Sequence, residues 1–124
     1  MLAVVFDDGV AVALEADAIV NLPKVKAHCQ MGLSLGIKNM YGTIAGKRKA
    51  LFHFRAGHDA VRFGRLPVAI CRYLNPVLTI AAGIVILEGD GPTRGNPRPA
   101  GFLAAGADPV ALDRRVDSSD RRYA

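Results

Sequence analysis

Ala18-Ile19-Val20-Asn21-Leu22-Pro23-Lys24-Val25-Lys26-Ala27-His28 is the stretch on which the fold turns. Its first half, residues 18–22, reads as a short buried strand that Pro23 stops, because proline has no N–H to give a ladder. If the second half is extended, Lys24, Lys26 and His28 point to one side, since strand side chains alternate with period two. Cationic groups just past the carboxyl end of a buried strand are placed where open α/β sheets hold ligands. Strand-like and helix-like segments alternate outward from here. The expected fold is therefore α/β, a layered sheet with helices that is at least partly parallel.

On the amino-terminal side, residues 2–6 and 10–14 are apolar, β-branched runs flanking Asp7-Asp8-Gly9, a β-hairpin signal. On the other side, residues 32–44 have helical spacing, weakened by Gly36 and Gly42 into a broken helix. Residues 46–55 are basic and read as a loop or a short helical turn. Residues 66–74 form a helix candidate with Pro67 in its first turn and Asn75-Pro76 at its end. Residues 77–87 read as one strand bent near Gly83. Four glycines and three prolines within residues 88–101 predict an irregular loop. A short strand follows over 101–106, then Asp108 as an N-cap and Pro109 opening a last helix to about Val116. The domain is expected over residues 1–116, with a polar tail over 117–124.

The 124 residues are 51% hydrophobic, enough for one packed domain and too apolar for disorder. Sixteen Lys and Arg against eleven Asp and Glu give +5, which favours anionic partners. The charges are not interleaved with aromatics in any nucleic-acid motif, which argues against nucleic acid. No stretch of about 18 uninterrupted apolar residues exists, so no membrane span is expected. With no secretory leader ahead of Asp7, a cytoplasmic setting is expected. Cys29 and Cys71 are too few for an iron–sulfur cluster within the chain.

Four groups of residues could carry chemistry. Asn21, Lys24, Lys26 and His28 form the first, and Lys38 and Asn39, set amid apolar residues and glycines, the second. Glu88, Asp90, Thr93 and Arg94 lie in the glycine-rich stretch, whose backbone N–H groups can approach a ligand closely. Asp108 and Asp113 sit five apart, which on a helix does not make a catalytic pair, and Asp113 stands as a candidate ligand-binding residue. Neither a Walker loop nor an HExxH pair is present. A metal site on His28 or His58 would need long-range convergence. Gly46 beside Lys47-Arg48-Lys49 could cradle phosphate but lacks the Walker spacing, and His53 reads as a surface or packing histidine.

Residues 16–28, Lys38-Asn39-Met40-Tyr41-Gly42, residues 88–95 and residues 108–113 together resemble the bacterial and archaeal domain of unknown function family 362. Order and spacing agree from about residue 16 to 113. The family domain is longer ahead of the Asn-x-Pro-Lys motif, so this chain is similar to its C-terminal part, an incomplete domain. Many members carry ferredoxin-type modules, which implies redox- or metal-linked chemistry. Where the family usually has Asp before Gly83-Ile84, this sequence has Ala82, which implies a weakened activity. The expected function is an anion- or metal-ligand site built by the Asn-x-Pro-Lys-x-Lys-x-His segment and the glycine-rich stretch. The competing expectation is a non-catalytic subunit that self-associates or pairs with a chain supplying the missing half.

Overall fold

The computed structural model describes residues 2–5, 11–29, 31–44, 46–91 and 93–120. One mixed sheet holds six strands: β1 (Leu2–Val5), β2 (Ala18–Asn21), β3 (Lys24–His28), β4 (Gly32–Ser34), β5 (Leu78–Asp90) and β6 (Arg94–Gly106). Four helices accompany it: α1 (Gly36–Met40), α2 (Lys47–Ala56), α3 (Ala60–Leu74) and α4 (Pro109–Asp120).

β5 is the spine. β6 runs antiparallel along one edge, from Thr79↔Gly106 to Asp90↔Arg94. The other edge is shared end to end by β2 and β3, both parallel to β5. Asn21 pairs with Thr79 and Lys24 with Ala82, the same offset of 58, so β2 and β3 are one strand interrupted at Leu22-Pro23. The Ala82 N–H donates to the Pro23 carbonyl at 2.9 Å across that interruption. β1 adds parallel to β2, and β4 adds antiparallel to β3. The expectation of a layered, partly parallel α/β fold holds.

Alternation along β5 sorts its two faces. Thr79 and Ala81 are buried against the helices, and Ala81 joins Val25, Leu35, Ile86, Leu112 and Val116 in one core cluster. A second cluster joins Ala13, Ile19, Met40 and Cys71. Phe102 packs on the first cluster with its ring lying directly over Gly83, where any Cβ would overlap it. The opposite face carries Leu78, Ile80, Ala82 and Ile84, half-buried to exposed.

Several expectations are corrected. Residues 11–15 are a 3-10 turn rather than the second arm of a hairpin, and β1 pairs in parallel with β2. The turn residues 6–10 lie outside the described residues. The run 32–44 is not one helix: β4 and Leu35 precede a five-residue α1 and a 3-10 turn, Tyr41–Thr43. Tertiary pairing of β4 with β3 wins over helical spacing there. The basic segment is a full helix, α2. The next helix starts at Ala60, capped by the Asp59 carboxylate, which accepts from the Arg62 N–H at 2.9 Å, and Pro67 lies inside it.

The glycine- and proline-rich stretch is the end of a long hairpin rather than an irregular loop. Pro97 and Pro99 are tolerated because β6 has only β5 beside it among the described residues. Between Gly83↔Phe102 and Val85↔Pro99 the ladder gains one residue on β6, and Gly101 takes up the bulge with φ of 69°. The last helix opens where expected, with Asp108 accepting from the Val110 and Ala111 N–H groups, but it runs on to Asp120. The tail expected from 117 is therefore helical over its first four residues.

Candidate functional site

The sequence candidates separate into three places. The first is a structural network at the carboxyl end of β2. Asn21 is fully buried; its Nδ2 donates to the Gly36 carbonyl at 2.8 Å and approaches Thr79 Oγ1 at 3.4 Å. Asn39 Nδ2 donates to Asn21 Oδ1 at 2.7 Å. From α4, Asp113 accepts the Gly36 N–H at 2.8 Å and the Ile37 N–H at 2.9 Å, one on each carboxylate oxygen. Gly36 is required here, since a Cβ would press on Asp113 Oδ1 and Thr79 Cγ2. Asn21, Asn39 and Asp113 thus lock α1 onto the sheet. Burial raises the Asp113 carboxyl to about 6, against the two N–H bonds that favour its charged form.

The second place is the hairpin tip. Glu88 is exposed and pairs with Arg98. Asp90 and Arg94 face each other across the ladder, and Thr93 sits in the exposed turn. The tip docks on the end of β3: the Cys29 N–H donates to the Gly91 carbonyl at 3.3 Å. A groove of about 650 Å³ beside β3, β4 and α4 has Lys26, Glu88, Asp113, Arg114 and Asp117 as polar walls. Three carboxylates among five charges make it a poor seat for an anion.

The third place is cationic. His28, at the end of β3, is buried and its ring stacks toward His53 of α2, centroids 6.2 Å apart. His53 lies on Phe63 at 4.4 Å and meets the edge of Tyr41 at 5.5 Å. Lys49, one helical turn before His53, holds its ammonium 5.7 Å from the Tyr41 ring centre. Tyr41 is itself buried, with its hydroxyl donating to the Lys49 carbonyl at 2.9 Å. This aromatic floor packs against His53, on which His28 stacks in turn.

The charges converge on the same spot. Burial, then Lys38, His53 and Lys26, push the His28 imidazole down to about 4. Burial, then Lys38 and Lys49, lower His53 as well. Lys38, from α1, is therefore within electrostatic reach of both rings. His28 sits in the field of Lys38 and Lys26, and His53 in that of Lys38 and Lys49, cations drawn from β3, α1 and α2. Such a cluster attracts an oxyanion and can match it with ammonium and imidazole donors.

Lys24 does not join it. Between Lys24 and Lys26 the partner on β5 jumps from Ala82 to Leu87, so strict alternation breaks, and Lys24 is exposed at the start of β3. His58 is exposed in the turn after α2. Among the described residues no group of three or more His, Cys, Asp or Glu could hold a metal ion. The pairing of Lys49 with His53 is not legible while 46–55 reads as a loop; a spacing of four puts them on one face once 47–56 is a helix.

The family described as Domain of unknown function (DUF362) matches residues 10–116. Over 101 residues the chain is 46% identical to a Synechocystis sp. protein named as thylakoid-associated, which covers 82% of this chain and 32% of that protein. The chain thus spans about a third of the length of the relative it matches. No solved structure matches significantly. No helix among the described residues is long and apolar enough to cross a membrane.

Proposed function

The chain belongs to the DUF362 family, and we propose that this part of the fold binds a small oxyanion, a phosphate, sulfate or carboxylate group, between β3, α1 and α2. Lys38 is the central cation. Lys26 and Lys49 flank it, and His28 and His53 supply neutral donors, His53 held against Tyr41 and Phe63 and His28 stacked on His53. The observation that carries the reading is the stack of His28 and His53 on Tyr41 and Phe63 with the Lys49 ammonium beside it, to which Lys38 adds its field from a separate element.

Calorimetric titration with inorganic phosphate and with sulfate tests it. Lys38→Ala should weaken binding at least tenfold, about the effect of losing 1.4 kcal/mol, and Lys24→Ala should leave it nearly unchanged. Equal losses from both would mean diffuse charge rather than a site.

A second reading has its own support. The sheet face bearing Leu78, Ile80 and Ile84 has no helix packed on it among the described residues. Parallel sheets ordinarily have both faces covered. The relative is about three times longer than the matched stretch. On this reading the chain acts as the C-terminal part of a larger unit, with the second layer supplied by further chain or a partner. Redox-linked chemistry would then belong to the complete unit. The relative's name records thylakoid association for that protein.

A further inference from the structure

The helices α2 and α3 concentrate the charge of the whole protein. Residues 46–74 hold seven Lys and Arg against one carboxylate, Asp59, a net of +6 where the full chain carries +5. That lone carboxylate is already engaged as the α3 N-cap. The remaining residues are therefore slightly acidic, and the basic balance is local rather than spread.

Apolar side chains stand among those cations. Phe54 is 85% exposed, Tyr73 80%, Val61 71% and Leu51 44%. Helical spacing sorts them from the buried residues. On α3, Phe63, Pro67 and Cys71 repeat every four residues and are buried, while Val61, Arg65, Val68 and Arg72 form the outward stripe. On α2, Lys49 and His53 turn inward to Tyr41, while Leu51, Phe54 and Arg55 are exposed. The α2 stripe mixes aliphatic, aromatic and basic side chains, and the α3 stripe alternates valine with arginine.

We propose that the outward face of the α2–α3 hairpin docks on an anionic lipid bilayer. Exposed Phe and aliphatic groups interleaved with Arg and Lys match an interface of acyl chains below and phosphate headgroups above. Leu51, Val61 and Val68 have no comparable use against a nucleic-acid backbone, which rewards the cations alone. The mode is peripheral, so the absence of a crossing helix does not oppose it. It is also independent of the anion site, which uses the inward faces of α1, α2 and β3.

Flotation with vesicles made of equal parts phosphatidylglycerol and phosphatidylcholine tests the proposal, with pure phosphatidylcholine vesicles as the control. The expected result is binding to the anionic vesicles, little to the neutral ones, and a fall with added salt. Arg55→Gln with Arg65→Gln should weaken binding roughly tenfold or more, from about one surface charge's attraction each. Phe54→Ser should also weaken it several-fold while circular dichroism stays unchanged; because Phe54 is exposed, that variant should fold. No binding to anionic vesicles would overturn the proposal. So would equal binding by Phe54→Ser and wild type, which would leave charge alone. Tight salt-sensitive binding to duplex DNA or RNA without vesicle binding would assign the surface to nucleic acid instead.

Discussion

Replacing Asp113 by Ala should destabilise the protein, and the deficit should grow in mild acid. Asp113 accepts from the Gly36 and Ile37 N–H groups at 2.8 and 2.9 Å, and these are the first amides of α1. Removing the carboxylate leaves two amides without acceptors, about 1–3 kcal/mol each. Against this, the ionised carboxylate is unfavourably buried. Its rise from 3.8 to about 6 corresponds to roughly 3 kcal/mol between the two protonation states. At pH 7 the two effects largely offset, and we expect a loss of about 1–2 kcal/mol. The sign of the pH dependence follows from the raised value. Between about 6 and 3.8 the native state binds a proton that the unfolded state does not, so wild-type stability rises as pH falls through that window and is lost again as pH rises through 6. At pH 5 the gain is roughly 1.4 kcal/mol. Urea unfolding of wild type and Asp113→Ala at pH 7 and pH 5 should show a deficit larger by about that amount at pH 5. Asp113→Asn, which keeps one acceptor but meets the second N–H with its own amide, should fall between. A deficit that stays constant or shrinks at pH 5 would refute the assignment of Asp113 as a buried clamp on α1.

Three further outcomes are expected. His28 has the opposite linkage: unfolded imidazole takes a proton near 6.5 while the native one waits until about 4, so stability falls with pH across that interval, and His28→Gln should flatten this acid limb in denaturation curves. Gly91→Ala should detach the β5–β6 tip from β3, because a Cβ there overlaps the Ala27 carbonyl; amide exchange at Cys29 should rise while the α4 amides stay protected. Ala82→Asp places a carboxylate beside Lys24 in the β3–β5 register, and divalent-metal affinity by calorimetry should rise if that position is a ligand; unchanged affinity for every metal tested would leave Ala82 as a packing residue.

The parallel core was legible because residues 18–21 and 77–87 are apolar, β-branched and bounded by proline and glycine. Residues 88–101 were not, because glycine and proline density is a local signal while β6 is set by a thirteen-residue partner strand. The network of Asn21, Asn39 and Asp113 was marked for ligand chemistry, yet most of its bonds close on the fold itself. Polar residues at strand ends look alike in sequence whether they meet a ligand or a helix terminus. Lys26 and Lys38 both act on His28, whereas the pairing of Lys49 with His53 is illegible in sequence because α2 has no buried residue to announce a helix. Lys24 was misgrouped because the register jump after it cannot be read from alternation.

The link Leu22-Pro23 also acts as a ruler. Three steps from Asn21 to Lys24 match three steps from Thr79 to Ala82, so its length is metered against β5. Deleting one residue there would slide β3 by one position, turning Val25 out of the core and Lys24 toward it. Related genes should therefore rarely differ in the number of residues between Asn21 and Lys24. A length change at this point would be tolerated only with a matching change between Thr79 and Ala82.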